Sequence, residues 1–202
     1  MKVLVTGGAG YLGSVLAREL LGKGYEVRIL DNLLYGKKPV EPFIRNPKFE
    51  LLKGDIRDMN CVVRALHDVD TVVHLASIVG DQAGDLEPRT TIQINYLSTK
   101  NIAELCDLYQ KKLLYASSCS VYGDSPRGVM SEYIVSDCKM NSPKPISLYG
   151  ETKLRSERAI HELASDHVIF RLGTLFGMSN RMRFDLSVNL FIAKALKREK
   201  IR

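Results

Sequence analysis

Residues 2–22 read KVLVTGGAGYLGSVLARELLG, and three kinds of segment meet in them. A short β-branched and leucine-rich run over 2–7 has the composition of a buried strand. Glycines follow at 7, 10 and 13. A helical pattern over 11–23 then places Leu12, Val15, Leu16 and Leu20 on one face. A strand that turns through glycines into a helix opens a parallel α/β pattern. Gly7 permits the tight turn, Gly10 lets a pyrophosphate approach the backbone, and Gly13 lets the helix press on the strand. Tyr11 and Leu12 lie in the first helical turn, whose amide groups and dipole attract phosphate.

Outward from this stretch, strand-like runs recur at 26–31, 49–55, 71–76, 112–118 and 167–173. Helical segments lie between or after them at 58–67, 88–110, 150–165 and 185–198. The alternation predicts an α/β fold, a Rossmann-type doubly wound parallel sheet with helices on both faces. Connections are short except over 119–148, a Ser-, Pro- and Gly-rich segment leaving the carboxyl end of the fifth strand. Long loops at that place in such sheets are usually functional.

Asp31 closes the second strand, 24 residues after Gly7. A carboxylate there accepts both ribose hydroxyls and repels a 2′-phosphate, which favours NAD over NADP. Asp55 in KGDIRD has two readings: a ligand of the adenine amine, or a cap for the helix starting near Asp58. His74, flanked by apolar residues, reads as a hydrogen-bonded structural histidine, since no second His or acid keeps metal spacing with it. No metal site is expected.

At 202 residues and 45 % apolar composition the chain can build a substantial core. No apolar run approaches the roughly 20 residues of a membrane span, and the N-terminus does not read as a signal peptide. Four scattered cysteines without C-x-x-C spacing point to a reducing, cytoplasmic setting rather than zinc or disulfides. From Arg181 to Arg202 seven Lys or Arg stand against two acids, so five units of the net +6 sit in that tail. Solvated charges on a tail helix account for that better than a nucleic-acid groove.

The stretch SLYGETK, 147–153, places Tyr149 four residues before Lys153; a second such pair is Tyr96 and Lys100. A tyrosine, with pKa about 10, is a poor base until a nearby ammonium stabilises its phenolate. The two pairs differ in context. Tyr149 and Lys153 follow the strand LLYASSCSVYG, whose carboxyl end offers Ser117, Ser118 and Ser120, whereas Tyr96 and Lys100 begin a long helix with no such strand before it.

Taken together, TGGAGYLG, LDNL (30–33), GDIRD (54–58), HLA (74–76), Asn95 in NYLSTKNIAEL, SSCSVYG (117–123), PISLYGETK (145–153) and RLGTLFG (171–177) resemble the extended short-chain dehydrogenase/reductases, the nucleotide-sugar epimerases and dehydratases related to UDP-glucose 4-epimerase. The resemblance implies Ser118 as the catalytic hydroxyl, Tyr149 as acid/base and Lys153 as its partner. It implies that Asp31, Asn32, Asp55, Ile56, Leu75, Ala76 and Asn95 line NAD together with the glycine turn, Tyr149 and Lys153. It further implies a nucleotide-sugar substrate and a homodimer built through helices 88–110 and 150–165. Dehydratases of the family carry Asp-Glu after the catalytic hydroxyl, but here Cys119 and Ser120 supply neither carboxylate, which favours a 4-epimerase. Thr174 stands where many relatives have Asn. The expected organisation is an NAD-binding domain over 1–180 and a helix over 181–202 leading into a substrate-binding part that is missing. A nucleotide-sugar reductase, dehydrogenase or dehydratase, and a non-catalytic NAD(P)-binding regulator on the same fold, are the alternatives.

Overall fold

The computed structural model of the chain describes residues 1–80, 85–123 and 144–200. Six strands form one sheet: β1 (Lys2–Thr6), β2 (Glu26–Asp31), β3 (Phe49–Lys53), β4 (Thr71–His74), β5 (Lys112–Ser118) and β6 (His167–Leu172). Their order is β3-β2-β1-β4-β5-β6, and every pairing is parallel. The chain starts mid-sheet, runs outward to β3, and re-enters beside β1 at β4. The direction of winding therefore reverses between β1 and β4, and at such a point the carboxyl ends of the strands open a crevice.

The central strands are buried on both faces, which is why they read as continuous apolar runs rather than alternating ones. Val3 and Val5 of β1 and Val27 and Ile29 of β2 pack with Ala17 of helix α1 (Tyr11–Gly22). Val40 and Phe43, from a 3-10 turn over Lys38–Phe43, complete that layer. On the opposite face Leu4, Leu30, Val72, Leu113 and Tyr115 meet helices α2 (Met59–Leu66), α3 (88–108) and α4 (Leu148–Leu163). Helix α3 runs Pro88–Thr91, widens to a π-helical turn over Ile92–Leu97, and continues as Ser98–Leu108. A last helix, α5 (Ser187–Leu196), exposes Phe191, Ile192 and Leu196, and the edge strand β6 exposes Val168 and Phe170.

Two local outcomes depart from periodicity. In α1 the fully buried positions are Tyr11, Gly13, Ser14 and Ala17, while Leu12, Val15, Leu16 and Leu20 are only partly covered. Past Tyr11 the helix lies so close to the β1 turn that its innermost line, Gly13, Ser14 and Ala17, is made of small residues. Helix α2 begins at Met59 because Asp58 caps it, accepting the amides of Asn60 and Cys61. The cap reading of Asp55 thus falls to Asp58. The long connection over 119–148 enters as a 3-10 turn, Cys119–Tyr122, and its residues 124–143 lie outside the described residues.

Candidate active site

The turn between β1 and α1 is built as its glycines require. Gly7 has φ +70°, and a Cβ on it would stand 2.7 Å from the Ala76 amide nitrogen. A Cβ on Gly13 would meet the Gly7 carbonyl oxygen at 2.5 Å. Gly10 caps α1 without any side-chain bond, and no acid occupies the first turn. The helix therefore offers its first amides and its positive end to an anion. Asp31 accepts the Ala9 amide through Oδ2 (2.9 Å) and the Leu33 amide through Oδ1 (2.8 Å), locking the end of β2 to the glycine turn.

These groups line a cavity of about 640 Å³ along the carboxyl edge of the sheet, a size that holds an extended cofactor. Gly7, Gly10, Tyr11, Leu12 and Gly13 line it at the end of β1, Asp31 and Asn32 at the end of β2, Asp55 and Ile56 after β3, and Leu75 and Ala76 after β4. Asp55 is bound by Arg57 through a 2.8 Å ion pair, and that guanidinium holds its carboxyl below the ordinary range. Asn95 does not line this cavity. Only 1 % exposed, it works from behind: its Oδ1 accepts the Ile78 amide (2.8 Å) and the Ser77 hydroxyl, and its Nδ2 donates to the Ile78 carbonyl (2.9 Å). Its own carbonyl accepts the hydroxyls of Thr99 and Ser156, each at 2.7 Å, which ties α3 to α4.

At the other end of the cavity stand Ser118, Tyr149 and Lys153. Ser118 ends β5, and its Oγ accepts the Ser120 amide (3.1 Å) while donating to Ser120 Oγ. Ser147 caps α4 by accepting the Gly150 amide, so Tyr149 sits in the first turn and Lys153 one turn on. Lys153 is 3 % exposed and donates to the Ala116 carbonyl at 2.8 Å. Its Nζ lies 4.7 Å from the centre of the Tyr115 ring and 5.8 Å from that of Tyr149. Burial strips water from the ammonium and lowers its pKa to about 7, against the opposing charge of Glu157. The other Tyr/Lys pair has a different fate, for Lys100 reaches Glu104 on the surface of α3.

His74 accepts the Thr6 hydroxyl at Nδ1 (2.6 Å) and meets Thr99 Oγ1 at Nε2 (2.9 Å). Thr99 spends its own proton on the Asn95 carbonyl, so Nε2 carries the imidazole hydrogen. Burial pushes its pKa down to about 3, and the ring is a neutral structural link. Among the described residues no three His, Cys, Asp or Glu gather as a metal site.

Periodicity gave no sign of the far rim. Arg181 and Arg183, counted above among solvated tail charges, line the cavity with Tyr35. The Arg181 guanidinium stacks 3.6 Å over the Tyr35 ring, and Arg183 pairs with Asp185. The segment that carries them is fastened to α1: the Tyr11 hydroxyl donates to the Gly177 carbonyl (2.7 Å), Asn189 Nδ2 donates to Tyr11 (3.1 Å), and Ser179 donates to the Tyr11 carbonyl (2.7 Å). No local pattern announces contacts between residues 166 to 178 positions apart.

Residues 3–202 match the model of the NAD dependent epimerase/dehydratase family. UDP-glucuronic acid decarboxylase 1 of Xenopus tropicalis is 32 % identical over 99 % of this chain, which spans 47 % of that protein. UDP-glucose 4-epimerase of Klebsiella pneumoniae is 35 % identical over 63 % of the chain. Among solved structures, UDP-glucuronic acid 4-epimerase from Bacillus cereus, bound to UDP-glucuronic acid and NAD, superposes with a TM-score of 0.81 at 31 % identity, covering 98 % of this chain and 64 % of that one. UDP-glucose 4-epimerase of Thermus thermophilus with NAD gives the same TM-score at 29 % identity, over all of this chain and 64 % of that one. The chain spans about half the length of the first curated relatives it matches and under two thirds of these structures. With its glycine turn, its strand order and its Tyr/Lys helix, this chain belongs to the NAD-dependent epimerase/dehydratase family.

Proposed function

We propose that the chain is the cofactor-binding and catalytic part of an NAD-dependent UDP-sugar 4-epimerase. The observation that carries this reading is the convergence of Ser118, Tyr149 and Lys153 on the cavity that the glycine turn opens. The residues fit NAD: Gly7 and Gly13 keep clear the space a Cβ would fill, the first turn of α1 has no side-chain cap, and the Asp31 carboxylate stands at the far end. NAD bound there supplies a reversible hydride acceptor for a sugar carbon.

The chain's own residues handle the proton. Tyr149 takes it from the sugar hydroxyl and later returns it. Lys153, held by the Ala116 carbonyl, stabilises the phenolate with its ammonium. Ser118 holds the same sugar oxygen with its hydroxyl, its Oγ fixed by the Ser120 amide. Asn32, Asp55 and Ile56 serve the adenosine end, and Asn95 holds in place the 77–78 backbone that borders the cavity. Epimerisation asks for no further acid or base, which suits Cys119 and Ser120 beside Ser118.

A UDP-uronate is a second substrate reading, favoured by the relatives named for UDP-glucuronic acid. Oxidation of such a sugar at C4 creates a β-keto acid, which loses carbon dioxide readily, so a decarboxylase shares the same first proton transfer. Incubation with UDP-glucose and with UDP-glucuronic acid, followed by product identification, separates the reactions. Tyr149→Phe should lower turnover by about 10²–10⁴-fold with NAD still bound; unchanged turnover would overturn the assignment. The same reading places a homodimer on α3 and α4, which sedimentation of the purified protein reports.

A further inference from the structure

Three consecutive residues of β5 hold three different parts of the catalytic end. The Ala116 carbonyl accepts Lys153, the Ser117 hydroxyl donates to Glu157 Oε1, and Ser118 faces the cavity. Glu157 lies one helical turn beyond Lys153 and is 2 % exposed. Arg171 of β6 grips its carboxylate at both oxygens, 3.0 Å from Nε and 2.7 Å from Nη2. The guanidinium is itself backed by the Tyr122 ring, 5.0 Å away. A carboxylate so deeply buried is costly unless something uses its charge or its geometry. None of the proton steps above requires it.

The neighbouring ammonium supplies the use. Lys153 is surrounded by rings and backbone: Tyr115 of β5, Tyr149 of its own helix, and the neutral His74 of β4, which Lys153 itself helps to keep unprotonated. Arg171, the cation that β6 brings to this side, is paired with Glu157. Glu157 makes no direct ion pair with Lys153, but it lies one turn on along the same face of α4. It is bound to Ser117, the β5 residue next to the carbonyl that holds the ammonium, so its charge opposes the loss of water there. From these contacts we infer that Glu157, clamped by Arg171 and Ser117, is a positioning residue that holds Lys153 charged and fixes α4 against the end of β5. Its catalytic meaning rests on the epimerase reading, but its physical content does not.

The test is therefore made on the full chain without cofactor or sugar. Lysines are labelled with ¹³C, the Lys153 Cε resonance is identified by its disappearance in Lys153→Arg, and its titration is followed with pH. Glu157→Gln removes the charge and keeps the shape. If Glu157 supports the ammonium, the Lys153 midpoint falls by about one unit. If Glu157 only fills space, the variant loosens the site, water returns, and the midpoint rises toward that of an ordinary lysine. The two roles thus give opposite signs, and a rise or no change overturns the inference. Arg171→Met, which breaks the clamp but keeps the carboxylate, must not lower the midpoint. Should the unpaired Arg171 prevent Glu157→Gln from folding, the double variant Glu157→Gln/Arg171→Met removes both charges and must still lower it. Failure of NAD binding or of turnover would leave this titration untouched, so the two proposals fail separately.

Discussion

Asp31 shows how one side chain does two jobs at the residue scale. Its oxygens accept the Ala9 and Leu33 amides, which fixes the turn, and its negative charge faces the cavity. Replacing it by serine keeps an acceptor and removes the charge. Asp31→Ser should therefore weaken NAD and raise the ratio of NADP to NAD affinity by about tenfold or more, since 1.4 kcal/mol of relieved repulsion is tenfold in an equilibrium constant. Competitive binding of the two dinucleotides measures it, and an unchanged ratio would place the 2′-position elsewhere. The place of Asp31 beside the glycine turn was legible from sequence because it needs only a strand and a fixed distance from the glycines. The clamp on Glu157 was not, because it depends on Arg171 arriving from another strand.

At the scale of an element, α1 is governed by how near its N-terminal end comes to β1. A methyl group on Gly13 would collide with backbone atoms of Gly7 and Gly8 at 2.5 and 2.6 Å, and backbone cannot step aside as a flexible side chain can. Gly13→Ala should cost about 1–3 kcal/mol in denaturant unfolding and abolish dinucleotide retention. Gly22, in the same helix, has nothing within 4 Å of such a methyl. Gly22→Ala should be neutral or stabilising by up to about 1 kcal/mol. Equal effects at the two sites would contradict the close-packing account. The spacing of the glycines revealed the turn, but the small-residue line of α1 did not show in a pattern that weighs only leucines and valines.

Across the whole molecule, His74 joins β1, β4 and α3 at the centre of the fold through Thr6 and Thr99. Its folded pKa, about 3, lies below its ordinary value of 6.5 because burial excludes the charged form. Between pH 6.5 and 3 the unfolded chain therefore binds the proton that the folded chain refuses, and stability falls as the solution is acidified. The loss should be about 2 kcal/mol by pH 5. Urea unfolding at pH 7 and pH 5 measures it, and His74→Gln should remove that part of the pH dependence even if it is less stable throughout. A variant as acid-sensitive as the parent would assign the effect to other groups.

By itself the sequence determined the α/β alternation, the parallel sheet, the phosphate turn and the Tyr149/Lys153 pair. These follow from hydrophobic period, glycine spacing and one-turn separations, all properties of a few neighbouring residues. Only the tertiary structure decided that Asn95 works behind the cavity wall, that Arg181 and Arg183 line the cavity, and that Ser117 and Arg171 clamp Glu157 one turn beyond Lys153. Those contacts join residues brought together by strand order and helix docking. Their energies depend on burial and on partners distant in the chain, which no local pattern carries.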